Sequence, residues 1–300
     1  MRLQDRLYLE CTWPGNPPGI VSGISQLDDR LGGLQLGQLH ALAAPPGIGA
    51  TALLLKCAFN AARHISVVVA TTSAGTDVVE QMIRLRLGYP RGSVMVRHSA
   101  ADEMIGRSLR YPVEIVDRIK NIDDLRSRVD VALTVLREQC WNPSLLVIDC
   151  SDVVTPSGID SIEPGVLQSL QELAQTNDIA VVVSLRLPPL GEPEFPELRL
   201  DEKDLIAGPF VLEPEWRPGS PHPDDTDVYM ILQRCNRGDR CAGALGNRML
   251  QVLRARDRTH LMIPFEIEPE EGTCEELGDI FGAELRKPQR RRRRDNGGKE

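Results

Sequence analysis

The chain has 300 residues, 41% of them hydrophobic and 26% charged, enough for one large α/β domain with a sizeable core or for two small ones. A formal net charge of −8 argues against a surface that coats nucleic acid indiscriminately, because such proteins carry a basic excess. No run of about 18 apolar residues occurs and Met1–Glu10 lacks a signal-peptide pattern, so the chain reads as cytoplasmic and not membrane-bound.

Residues 1–20 are irregular, with Pro14, Gly15, Pro17, Pro18 and Gly19 blocking regular structure. Ser25 is expected to cap a short helix that carries Leu27 and Leu31 and ends at Gly32-Gly33. Leu39–Ala43 is an apolar strand that runs into a Pro/Gly turn and then into an Ala/Leu-rich helix. Strand, loop and helix in this order match a phosphate-binding loop, in which backbone N–H groups and a helix N-terminus hold a triphosphate. The pattern asks for Gly-x-x-x-x-Gly-Lys-Ser/Thr. This sequence supplies Gly49 and Thr51, but Ala44 stands at the first glycine and Ala50 at the lysine. Pro46, Gly47, Ile48, Gly49, Ala50 and Thr51 are the candidate nucleotide-binding residues.

Ser66–Thr71 is a continuous β-branched run suited to a buried parallel strand, and Thr76–Leu87 has Val79, Met82, Ile83 and Leu87 at helical spacing. A strand at Val94–Val96, a short helix near Ala101–Leu109 and a strand at Val113–Val116 follow. Asn121–Cys140 reads as a long helix with an apolar stripe through Leu125, Val129, Ala132, Leu133 and Leu136. The strand Leu145–Asp149, a helix near Pro164–Gln175 and the strand Ile179–Leu185 complete an alternation that predicts a mostly parallel sheet covered on both faces.

From Arg186 to Asp227 the chain is Pro-rich and holds eleven acidic residues against four basic ones, as expected of a long loop or insertion. Strand-like runs at Val228–Leu232, Met249–Leu253 and Leu261–Ile267 follow. The segment 277–300 ends in a basic tail with Arg290, Arg291, Arg292, Arg293 and Arg294 in sequence, a composition expected to be disordered. Seven cysteines are scattered without a Cys-x-x-Cys pair. Cys57 and Cys150 read as small core residues, and Cys235 with Cys241 lacks a second pair of metal ligands nearby.

The order of these motifs resembles the RecA-like ATPase domain of DnaB-type replicative helicases, from about Ile20 to Glu276. The entry Ser22-Gly23-Ile24-Ser25-Gln26-Leu27-Asp28 with Gly32-Gly33-Leu34 resembles that family's approach to its phosphate loop, and is nearly as close to RadA-like and KaiC-like relatives. More specific are Pro112–Asp117, then Ile122-Asp-Asp-Leu-Arg-Ser-Arg, then the Walker B-like strand ending in Asp149. Val252-Leu-Arg254-Ala-Arg256-Asp-Arg258 with Ile263-Pro264-Phe265 resembles the family's Lys-x-Arg-Asn-Gly signature and the strand after it. The resemblance takes in no counterpart of the family's amino-terminal helical domain, which binds primase.

The resemblance implies an ATP site with Mg²⁺ held by Thr51 and Asp149, and implies that Arg254 and Arg256 reach the γ-phosphate on a neighbouring subunit. It also exposes gaps. ATP hydrolysis needs positive charge on the β- and γ-phosphates, a metal, and a base that orients water. Ala50 removes the lysine, and the turn that carries the family's catalytic glutamate reads Thr71-Thr72-Ser73-Ala74, so Ser73 stands at the base position. The family's sensor glutamine aligns with Leu185. Each loss alone typically costs about two or more orders of magnitude in rate. Lys56, the nearest lysine, lies one to two turns into the helix and is expected to point away from the phosphates.

The chain is therefore expected to be a degenerate RecA-fold homologue in which ATP/Mg²⁺ binding is weak or lost. It would act as a binding or regulatory protein in DNA replication, recombination or repair, and pair with itself or an active relative. A divergent ATP-dependent helicase is the alternative. The acidic 186–227 stretch would repel phosphates, which leaves the arginine tail as the candidate nucleic-acid contact.

Overall fold

The structure, a computed structural model, describes residues 19–87, 111–156, 162, 165–187, 226–234, 247–254, 259–268, 270 and 273–277. In chain order the elements are α1 (Ser25–Leu31), β1 (Leu39–Ala44), α2 (Ala50–Ala61), β2 (Ser66–Thr71), α3 (Gly75–Leu87), β3 (Val113–Val116), α4 (Ile122–Glu138) and β4 (Pro143–Asp149). There follow α5 (Ser151–Val154), α6 (Val166–Asn177), β5 (Ala180–Arg186), β6 (Val228–Arg234), β7 (Arg248–Arg254), β8 (Thr259–Glu268) and β9 (Thr273–Glu276).

One nine-stranded sheet carries these strands, in the order β3-β2-β4-β5-β1-β6-β7-β8-β9. The pairs from β3 through β6 are parallel, and β6, β7, β8 and β9 are joined antiparallel. Parallel strands need helical crossovers that cover both faces, so their side chains are buried on either side. The near-continuous apolar runs reflect this. Leu42, Val67, Val69, Leu145, Val147 and Val182 belong to the core beneath α1, α2 and α3. Leu39, Ala41, Val68, Ala70, Leu146, Ile148 and Val181 alternate with them and belong to the opposite core beneath α4, α5 and α6. The α/β class and mostly parallel sheet expected from sequence are borne out; the antiparallel extension beyond β6 is an addition.

The long helix starts one residue later than expected because Asn121 is its cap: its side chain accepts a hydrogen bond from Asp124 N at 2.8 Å. All five residues of its apolar stripe are buried. In α3 the stripe is rotated by one position from the expected one, since Val78 is buried with Met82 and Ile83 whereas Val79 is only partly so.

Ser25 does not cap α1. It is the first helical residue, Ile24 occupies the cap position, and the helix N-terminus is satisfied by Glu276 on β9, which accepts from Ser25 N and Gln26 N at 2.5 and 3.0 Å. Gly32 does end the helix, in the left-handed conformation at φ 72°. Asp28 has its own task. Its carboxylate accepts from Ser22 N, Ser22 Oγ and Gly23 N, so this part of the entry motif is a structural clasp. Burial raises the Asp28 pKa, and those donors pull the other way.

The expected strand at 94–96, the helix at 101–109, most of the acidic stretch, Cys235, Cys241, Arg256 and the arginine tail lie outside the described residues. Among the described residues no helix is long and apolar enough to cross a membrane.

Candidate functional site

The loop between β1 and α2 has the backbone of an anion cradle. Gly47 and Gly49 both take positive φ, 75° and 105°, which turns successive N–H groups to one side. No side chain caps α2, and its first turn holds no acidic residue, so its N-terminal amides are not satisfied by the helix itself. A Cβ on Gly47 would meet nothing within 4 Å, whereas one on Gly49 would lie 2.4 Å from Ile267 Cγ2 on β8. The loop is thus open on the Gly47 side and closed against β8 at Gly49.

Thr51, in the first turn of α2, is brought to Asp149 at the end of β4, and its hydroxyl donates to Asp149 Oδ1 at 3.2 Å. The two residues are 98 apart in sequence and meet because β4 and β1 flank β5 in one parallel sheet. A hydroxyl beside a carboxylate is the pair that a hard cation such as Mg²⁺ uses, with phosphate oxygens and water in its remaining positions. Desolvation raises the Asp149 pKa, against the Thr51 and Ser184 hydroxyls that face it, and the Asp152 charge adds to the rise. These residues fit a metal–nucleotide at the ligand positions.

At the lysine position Ala50 offers no charge. Lys56 does not replace it, because its ammonium donates to the carbonyl of Cys274 on β9. Ser73 is exposed in the turn after β2; its N–H donates to Thr71 Oγ1 at 3.1 Å and its carbonyl accepts from Arg118 N at 3.2 Å. Leu185 is sealed in the core at 1% exposure, so it has no access to a bound phosphate.

Sequence reasoning gave Asp117, just after β3, no catalytic part, yet its carboxylate comes to the turn that carries Ser73. Asp117 Oδ2 accepts from Gly75 N at 3.0 Å, and Arg128 and Arg118 stand 3.6 and 3.9 Å from its two oxygens. The Gly75 N–H chiefly holds its pKa below the usual carboxylate range, with Arg118 and Arg128 assisting. A carboxylate stabilised as the anion in this way is a weak base, and its role is to pin the start of α3.

Arg248, the first residue of β7, also escaped the sequence reading. Its Nε donates to the carbonyl of Ile48 in the phosphate loop at 2.9 Å, and its Nη1 donates to Asn247 O at 2.8 Å. Arg254 lies at the other end of the same strand. It is registered against Val228, which in turn faces His40 near the start of β1, so it lies at the end of the strands opposite the loop.

Residues 19–186, more than half of the chain, match the model of the DnaB-like helicase C terminal domain. The Replicative DNA helicase DnaB of Rhodothermus marinus is 35% identical over 221 residues, which is 66% of this chain and 23% of that protein. The chain thus spans less than a quarter of the length of that relative. Among solved structures, a DnaB-like replicative helicase described with its interactions with primase aligns at a TM-score of 0.60 and 15% identity, covering 91% of this chain and 65% of that one. A second solved structure, described as an ATPase domain, aligns at 0.60 and 16%, covering 92% of this chain and 97% of that one. At those identities the two structures speak for the fold, while the family model reaches the sequence itself: the chain belongs to the family of the DnaB-like helicase C-terminal domain.

Proposed function

We propose that the chain is a non-hydrolysing member of this family, a RecA-fold protein that holds Mg²⁺ and a nucleoside triphosphate weakly and serves as a binding or regulatory component in DNA replication, recombination or repair. One contrast carries the reading. The hydroxyl–carboxylate pair Thr51–Asp149 meets at 3.2 Å, which supports a metal position there, while alanine stands at the lysine position and serine at the base position. A base at Ser73 would need a histidine or carboxylate to activate it, and the carboxylate that comes near, Asp117, is committed to Gly75 N. Thr51 and Asp149 would hold the metal, which would neutralise charge on the β- and γ-oxygens. The amides of Gly47–Thr51 would bind the phosphates.

Pairing with a second copy, or with an active RecA-fold relative, is the assembly that the family membership suggests. Contact with nucleic acid is assigned to Arg290, Arg291, Arg292, Arg293 and Arg294. The test is phosphate release from ATP by purified protein with Mg²⁺, with and without single-stranded DNA. No release above the protein-free baseline is expected; robust hydrolysis stimulated by DNA would overturn the proposal in favour of a divergent helicase.

A further inference from the structure

We propose that Arg248 is the positioning residue that lets this phosphate loop bind a triphosphate without its lysine, acting through the Ile48–Gly49 peptide. The inference rests on the nucleotide-site reading above. No cis peptide occurs among the described residues, so the carbonyl of Ile48 and the N–H of Gly49 point to opposite sides of their shared peptide bond. Arg248 Nε holds that carbonyl at 2.9 Å, and the N–H of Gly49 therefore faces the other way, with the loop fixed at φ 105°. A guanidinium bonded to the oxygen polarises the whole peptide, which makes the N–H on the opposite side a stronger donor. The positive charge reaches the phosphates across one peptide unit and need not touch them.

The guanidinium is itself held in register. Asn247, its neighbour on the chain, accepts from Ile267 N at 2.8 Å and donates to Ile267 O at 3.0 Å, and its Nδ2 also lies 3.0 and 2.8 Å from Glu266 and Glu268 carboxylate oxygens. Ile267 is the residue whose side chain closes on Gly49. The β7–β8 pair therefore grips the loop at two consecutive residues, Ile48 by a charged hydrogen bond and Gly49 by packing. Among the described residues, Lys56 bonds to Cys274 O, and Arg186 pairs with Asp152 at 2.5 Å. The effect is assigned to the peptide because the Arg248 Nε–H is directed at the Ile48 carbonyl.

The experiment is calorimetric titration of Mg²⁺-ATP into the wild type, Arg248→Ala, Arg248→Gln, Arg248→Lys, Ala50→Lys and the double variant Ala50→Lys/Arg248→Ala, with melting temperatures recorded for each. The wild type is expected to bind. Arg248→Ala and Arg248→Gln should each weaken binding about tenfold, the scale of one charge-assisted hydrogen bond, and Arg248→Lys should restore most of it. Ala50→Lys should strengthen binding more in the Arg248→Ala background than in the wild type. A structural prop alone would lower melting temperature without this charge order or this coupling. Equal affinity of wild type and Arg248→Gln, at equal melting temperature, overturns the role of Arg248 and leaves the site standing. No binding by wild type with binding by Ala50→Lys also overturns it, since the arginine then fails to stand in for the lysine. No binding by any variant removes the nucleotide site itself.

Discussion

Asp149 illustrates how one residue can burden the fold at a position that the proposed function assigns to a metal ligand. Desolvation raises its pKa above the ordinary 3.8, so ionising the carboxyl is disfavoured in the folded protein relative to the unfolded chain. The sign follows from linkage: a raised folded pKa gives stability that is fully present below 3.8 and is lost as pH climbs through the folded value. Asp149→Asn keeps the acceptor for the Thr51 hydroxyl and removes the charge. In metal-free buffer at pH 7 the variant is expected to melt higher than wild type; a gain on the order of 1 kcal/mol corresponds to about 2–4 °C for a domain of this size. The difference should shrink as pH is lowered toward about 4, the ordinary carboxylate range, and added Mg²⁺-ATP should stabilise the wild type more than the variant. Differential scanning calorimetry across pH checks all three. A lower melting temperature for the variant at neutral pH would mean that the carboxylate is stabilised by more than the Thr51 and Ser184 hydroxyls.

At the scale of elements, the α1 helix depends on a residue from the far end of the described chain. Glu276 supplies the acceptor for Ser25 N and Gln26 N, in the place where Ser25 was expected to cap by itself. Glu276→Ala is expected to cost about 1 kcal/mol, the usual worth of a cap, and to speed hydrogen exchange in residues 25–31, while Glu276→Gln keeps one of the two acceptors, sets an NH2 against the other amide and falls between wild type and Glu276→Ala. Equal exchange in all three proteins would mean that α1 is held by the burial of Leu27 and Leu31 alone. This element also marks where sequence reading stops. Runs such as Ser66–Thr71 and Leu145–Asp149 announce themselves because a strand buried on both faces must be apolar at nearly every position, and the stripe of α4 does so through its 3.6-residue period. β9, with Thr273-Cys274-Glu275-Glu276, is short and polar and shows neither pattern. That Thr51 and Asp149 come together was legible because the motif order sets both at the phosphate-loop end of the sheet. The bond from Arg248 to Ile48 spans 200 residues and depends on the register of β7 against β8, which no local pattern encodes.

At the scale of the whole molecule, the sheet separates two kinds of basic residue that look alike in sequence. Arg248 and Arg254 are the two ends of β7. At about 3.4 Å of rise per residue, they are about 20 Å apart, and an arginine side chain does not bridge that distance back to its own loop. Any action of Arg254 on a phosphate therefore requires another subunit, placed against the strand ends opposite the phosphate loop, as closed or helical head-to-tail assemblies arrange their copies. This leads to a concentration-dependent prediction. Where sedimentation shows a monomer, Arg254→Ala should leave Mg²⁺-ATP affinity within about twofold of wild type, because a distant charge is screened beyond about 10 Å at 0.1 M salt. Where the chain assembles, or is mixed with an active relative, the same variant should weaken nucleotide binding or the assembly that nucleotide promotes by about tenfold, the scale of one charged hydrogen bond. Arg248→Ala should weaken binding equally in both regimes, since its contact lies within one chain. Loss of affinity in the Arg254→Ala monomer would place that residue's action at its own loop, against the register of β6 and β7. Unchanged behaviour in the assembled state would instead leave Arg254 as a strand end without a part in binding, and the head-to-tail arrangement would lose its chemical link to the nucleotide.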